Sequence, residues 1–225
     1  MDVTLLSKTI LFRGTTPEEI DSMLNCLGAE TRLYGKGDTI YRVGEVVGAL
    51  GVVLAGGVTI ENDDLWGNRS ILGHVGPGQI FAEAYACVPG EPMMVSAVAA
   101  ERTEVLFLDA GRVLTTCPQG CTFHNRLIAN LLAVLAQKNL NLSRRILHTS
   151  AKSIRGRVIS YLSFQAARQG TTSFSIPFNR QELADYLGVD RSALSAELGR
   201  MQKDGLLTVH KNQFALNPDA FSEEG

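Results

Sequence analysis

At 225 residues, 45% hydrophobic and 20% charged, the chain has the make-up of a globular protein with one large domain or two smaller ones. Its longest stretch without a polar side chain, residues 46–58, holds four glycines and falls well short of the ~20 residues that cross a bilayer. The net charge of −2 averages unlike parts: residues 1–150 carry 12 Lys+Arg against 15 Asp+Glu, whereas residues 151–216 carry 9 against 5, so only the C-terminal part is expected to meet a polyanion.

Along the chain, residues 15–27 open with Thr-Thr-Pro-Glu-Glu and continue with Ile20, Met23, Leu24 and Leu27 at helical spacing. Threonine before proline and acids suits the positive end of a helix dipole, so a short amphipathic helix is expected. Residues 30–109 change character. Short runs rich in Val, Ile, Leu, Tyr and Thr alternate with glycine, which predicts strands near 39–42, 50–54, 58–61, 70–75, 95–99 and 104–108. The expected fold class is α+β, led by an antiparallel, jelly-roll-like β-roll of eight-strand type.

After Pro118 the glycines stop. Residues 122–147 contain neither Gly nor Pro, and Ile128, Leu132, Leu135, Asn139, Leu142 and Ile146 recur at spacings of 4 and 3. That is a heptad seam, and at 1.5 Å per residue it spans about 39 Å. A lone amphipathic helix lying on its own domain is the alternative. The length favours a dimer, and so does Asn139, a single polar residue of the kind that sets register between paired helices.

Residues 151–225 read as helix, strand, helix-turn-helix and hairpin. Asn179 followed by Glu182 is a capping box, Leu183, Ala184 and Leu187 form an inner face, and Gly188 ends the first helix. Asp190 caps a second helix with Leu194, Leu198 and Met201 facing inward, and the turn His210-Lys211-Asn212 closes a wing. On a duplex, Arg191, Ser192 and Ser195 would read base edges, and Arg180, Gln181 and Lys211 would contact phosphates. For Arg191 the alternative is an ion pair with Asp190 or Glu197. The expected domains are 1–120 for the sensor, 121–149 for the dimerisation helix and 150–225 for the winged helix-turn-helix.

The chain as a whole resembles the CRP/FNR family of transcription regulators. The matching segments are YGKGDTIYRVGE (34–45), LAGGVTI (54–60), GPGQIFAE (76–83) and RQELADYLGVDRSALSAELGRM (180–201). The resemblance implies a homodimer on palindromic double-stranded DNA, a small-molecule or redox effector in or near the β-roll, and RNA polymerase as a partner. Ala196 departs from the family, where an arginine often reads DNA. Cyclic-nucleotide members hold the phosphate with a Gly-Glu pair and, about ten residues on, an Arg-Ser pair. Here Phe81-Ala82-Glu83 is followed by Pro92-Met93-Met94. Glu83 survives, but Met93 cannot neutralise a buried phosphate, which argues against a cyclic nucleotide. Phe81, Glu83, Met93 and Met94 are the candidate effector-pocket residues, with core packing as the alternative for the methionines.

Cys117, Cys121 and His124 form C-x3-C-x2-H, ligand types suited to zinc, haem iron or an iron–sulfur cluster, or else small buried residues at a helix entry. The cofactor is therefore unknown at this stage. A metal, haem or redox sensor, and a small-molecule binding protein without DNA function, remain as alternatives. No Ser/His/Asp or phosphate-loop arrangement appears and the cysteines lack C-x-x-C spacing, so no enzyme is expected. With no signal-peptide pattern at MDVTLLSKTILFRG and too few cysteines for a disulfide framework, the expected location is the cytoplasm, away from any membrane.

Overall fold

The structure, a computed structural model, describes residues 3–63, 69–115 and 122–217. It divides into two units, Met1–Gln137 and Lys138–Gly225.

The first unit opens with α1 (Val3–Ser7) and α2 (Pro17–Cys26). At the start of α2 the Thr16 hydroxyl accepts the Glu19 N–H at 3.3 Å and the Glu19 carboxylate accepts the Thr16 N–H at 2.9 Å. Two of the helix's free donors are thereby satisfied, and Ile20, Met23 and Leu24 are buried beneath. Eight strands follow: β1 (Glu30–Tyr34), β2 (Thr39–Tyr41), β3 (Ala49–Ala55), β4 (Val58–Asp63), β5 (Arg69–Val75), β6 (Ile80–Phe81), β7 (Ser96–Ala99) and β8 (Thr103–Asp109). They form two antiparallel sheets, ordered β1-β8-β3-β6 and β2-β7-β4-β5. Short helix α3 (Glu83–Ala86) interrupts the run after β6, and α4 (Ala110–Leu114) follows β8.

Strand alternation explains why β3 and β8 are buried on both faces. Val53, Val105 and Phe107 point between the sheets, with Ile40, Val58, Phe81, Ala97 and Ala99. Leu50, Val52, Leu106 and Leu108 point the other way, onto Ile20, Met23, Leu24, Leu127 and Leu131 of the helices. The expected strands are present within a residue or two of their ends. β1 and β6 were not anticipated, for different reasons. All but the last residue of β1 is exposed, so the strand lacks an apolar face that would betray it, and β6 has only two residues.

The long helix α5 (Thr122–Thr149) begins in this unit. Leu127 and Leu131 are buried against the sheet, and the Asn130 amide donates to the carbonyls of Leu11 and Arg13 at 3.0 and 2.9 Å.

The second unit contains α6 (Ile154–Gln169), β9 (Ser173–Ser175), α7 (Arg180–Leu187), α8 (Arg191–Lys203), β10 (Leu207–His210) and β11 (Gln213–Leu216). Its sheet runs β10-β11-β9, and its core joins Val158, Tyr161 and Leu162 of α6 to Leu183, Leu187, Leu194, Leu198, Phe174 and Phe214. Among the described residues, no helix is long and apolar enough to cross a membrane.

Gly56 lies in the short turn between β3 and β4. Its φ is +79°, and a Cβ there would lie 2.4 Å from the Arg102 carbonyl oxygen. Gly56→Ala is expected to destabilise the fold by at least about 2 kcal/mol in urea unfolding. Gly48→Ala, where nothing lies within 4 Å of the added carbon, should change it by less than about 0.5 kcal/mol.

Candidate nucleic-acid interface

The helix-turn-helix is built from two caps and a glycine. The Asn179 side chain accepts the Glu182 N–H at 3.0 Å and the Glu182 carboxylate accepts the Asn179 N–H at 2.7 Å, starting α7. Gly188 ends it at φ +64°, a left-handed conformation with little cost only for glycine. Two residues later the Asp190 carboxylate accepts the N–H groups of Ser192 and Ala193 at 2.8 and 2.9 Å. Ala184 is fully buried, and Leu194, Leu198 and Met201 are at most 2% exposed. The rotation of α8 is thereby set: Arg191, Ser192, Ser195 and Ala196 are exposed on its other side.

Neither carboxylate offered to Arg191 by the sequence takes it. Asp190 is committed to the cap, and Glu197 bonds Arg155 Nε at 2.7 Å and the guanidinium of Arg200. The same Arg155 reaches Asp204 Oδ2 at 2.7 Å, so α6 grips α8 at two points. These arginines, Arg155 first, hold the Glu197 carboxyl below the usual carboxylate range. The carbonyl end of α7 is also held by cations. Arg145 donates to the carbonyls of Asp185 and Tyr186 at 2.9 and 3.2 Å, and Arg157 to those of Leu187 and Gly188 at 3.0 and 3.1 Å. Cations at a helix C-terminus are favoured by the dipole. Sequence reasoning missed this set because the partners lie 30 to 49 residues apart. One signal was present: Glu197 falls among the inward positions 194, 198 and 201, where a charge needs a partner.

Of the three expected phosphate contacts, Arg180 and Lys211 are brought together. With Pro177, Phe178, Asn179, Glu182 and Asn212 they line an open concavity of about 490 Å³. Lys211 stands at the wing tip at φ +56°, and burial lowers the Arg180 pKa from its ordinary value. Gln181 is engaged within α7, donating to Asp185 Oδ1 at 2.8 Å.

Against this geometry, residues 31–119 match the cyclic nucleotide-binding domain family and residues 156–223 the Crp-like helix-turn-helix domain. The chain is 30% identical over 218 residues to the cyclic AMP receptor protein of Thermus thermophilus, covering 95% of each. The chain belongs to the CRP/FNR family of transcription regulators. Solved structures of the same fold include the c-di-GMP-responsive global regulator CLP of Xanthomonas campestris (19% identity, 89% of this chain and 99% of that one, TM-score 0.55). CprK complexed with OCPA is another (14% identity, 87% and 88%, TM-score 0.60). As a CRP/FNR regulator, the chain carries its DNA-binding helix-turn-helix in α7 and α8.

The sensor residues expected in this CRP/FNR chain have mixed placements. Phe81 is a core side chain: its ring sits beside Tyr41, centroids 6.2 Å apart, and would clash with any Cβ at Gly51. Glu83 and Met93 are 5% and 3% exposed, whereas Met94 is 69% exposed. His124 is buried with Nε2 at 2.9 Å from the Val113 carbonyl. A carbonyl only accepts, so Nε2 carries the proton and is not a metal donor. Cys117 and Cys121 lie outside the described residues, and among those described no group of three His, Cys, Asp or Glu is placed to hold a metal. On the expected seam, Leu132, Leu142 and Ile146 are 65%, 59% and 60% exposed and Asn139 is exposed. Ile128 is half-buried, and Leu135 packs partly on the core of its own unit.

His148, fully buried at the end of α5, is surrounded by Tyr161, Phe164 and Tyr186. Its Nδ1 lies 3.1 Å from Ser160 Oγ, and Nε2 has no hydrogen-bond partner among the described residues. Burial, and then the charge of Arg144, lowers its pKa. The folded unit therefore resists a proton that the unfolded chain accepts, so stability is full above the ordinary histidine value of about 6.5 and falls below it. His148→Phe is expected to flatten the loss of Tm between about pH 7.5 and about pH 5.5, followed by circular dichroism. An equal slope in both proteins would contradict this.

Arg155→Met should cost about 1–2 kcal/mol, because Glu197 and Asp204 each lose a charged donor. Urea unfolding of the variant beside Arg155→Lys, which can restore only one contact at a time, checks it.

Proposed function

We propose that this regulator works as a homodimer, reads duplex DNA with the outward face of α8, and answers to an effector other than a cyclic nucleotide. The observation that carries the DNA reading is the commitment of one side of α8 to the core while Arg191, Ser192 and Ser195 stay exposed on the other. Arg191 is in no ion pair among the described residues, so its fork is available to guanine O6 and N7. The concavity shared by Arg180 and Lys211 suits a phosphate, whose charge would offset the unfavourable burial of the Arg180 guanidinium.

Dimerisation is supported by the row of Leu132, Asn139, Leu142 and Ile146. Covering a row of exposed large apolar side chains with a second copy removes them from water at roughly 25 cal/mol per Å². Two such copies would present their α8 helices to half-sites about one helical turn apart.

On the effector, the relative in Thermus is named a cyclic AMP receptor protein, but here the position of the phosphate-binding arginine holds Met93, 3% exposed. A thioether cannot balance a buried phosphate. The two fold neighbours, one responsive to c-di-GMP and one complexed with OCPA, support a fold that leaves ligand choice to its side chains.

Binding of the full chain to labelled duplexes from its own upstream region tests the reading. Affinity should fall steeply with added salt. Arg191→Ala should reduce the preference for the tightest duplex over a scrambled one by about tenfold, and Leu142→Asp should give monomers in sedimentation. Weakening of all duplexes equally by Arg191→Ala would make it a phosphate contact, and saturable calorimetric binding of cyclic AMP would overturn the effector assignment.

A further inference from the structure

The hydroxyls on the outward face of α8 have already spent their protons. Ser192 Oγ donates to the Asp190 carboxylate, and Ser195 Oγ donates to the Arg191 carbonyl at 2.9 Å. A serine hydroxyl has one proton and two lone pairs, so each serine is left able only to accept. For Ser192 the acceptor is an anion, which makes that bond the stronger kind and costly to break. The Ser192 hydroxyl is also the largest cause of the low Asp190 pKa.

Position on the helix makes this polarity matter. At about 100° per residue, Ser195 and Ser192 lie roughly 40° and 100° around from Arg191, and Ala196 roughly 140°. On the same count Leu194, Leu198 and Met201 fall at roughly 300°, 340° and 280°, so the exposed side runs from Arg191 beside Leu198, through Ser195 and Ser192, to Ala196 on the far side from the core. Arg191 brings donors only and Ala196 a methyl group. From Arg191 to Ala196 the face reads donor fork, acceptor, acceptor, methyl.

Each part has a complement on the major-groove edge. Guanine shows two acceptors, cytosine and adenine show an exocyclic amine that donates, and thymine shows a methyl. We propose that each half-site carries guanine at the Arg191 position, an amine-bearing base (adenine or cytosine) facing Ser192 and Ser195, and thymine packed on Ala196. This rests on the DNA-binding reading above and adds its base chemistry. Acceptor-only serines select the same donor edge that a carboxylate would, without bringing a negative charge near the phosphates.

The test is selection of duplexes from a pool with about 20 random base pairs, using the full chain, then Ser192→Ala and Ser195→Ala. The expected result is an enriched motif in which each alanine variant relaxes one position by about two- to tenfold, that position holding adenine or cytosine on the strand facing the helix. Thymine or guanine on that edge would show that the serine donates, overturning the proposal while DNA binding stands. So would an enriched motif that both variants leave unchanged. Retention of no duplex at low salt would remove the DNA-binding reading itself, and the proposal with it.

Discussion

The functional surface depends on one packing constraint, the burial of Leu194, Leu198 and Met201 over Ala184. Because a helix turns by about 100° per residue, fixing those side chains against α7 fixes what faces outward. The small Ala184 side chain lets the two helices approach closely, and the Gly188 turn sets the angle between them. The caps at Asn179 and Asp190 then decide where each helix begins. Arg155 adds a second lock through Glu197 and Asp204, on the side of α8 turned toward α6. A recognition surface needs this over-determination, since a small rotation of α8 would exchange one presented side chain for its neighbour.

Charge in the second unit is divided between two tasks. The excess of basic over acidic residues in the C-terminal part looks at first like a uniform attraction for a polyanion. Arg145, Arg155 and Arg157 are instead absorbed by carbonyls and carboxylates of the fold. Arg191 stays exposed on α8, and Arg180 and Lys211 meet around one concavity. The structural arginines stiffen the scaffold that presents the others, Arg145 and Arg157 at a helix end where the backbone already favours positive charge and Arg155 through two carboxylates.

The first unit follows a different logic. β3 and β8 are buried on both faces because one side meets the second sheet and the other meets α2 and α5. The glycines that punctuate this region serve close approach as well as turning. Gly51 leaves room for the Phe81 ring, which packs in the core between the sheets. Along α5, Leu127 and Leu131 serve the core while Leu132, Leu142 and Ile146 stay exposed, so a single helix carries one buried and one exposed set of apolar side chains.

The sequence by itself determined the features that rest on hydrophobic period and cap chemistry. The capping boxes at Thr16 and Asn179, the Gly188 stop, the alternation in β3 and β8 and the outward set of α8 are all local, since period and cap chemistry act over at most a few residues. Tertiary structure alone decided the partnerships made across long stretches of chain. It sent Arg155 to Glu197, Arg145 and Arg157 to the end of α7, His124 to the Val113 carbonyl and His148 into a box of aromatic rings. A buried charge or imidazole will take whichever suitable partner the fold delivers, and spacing in the sequence carries no record of which one that is.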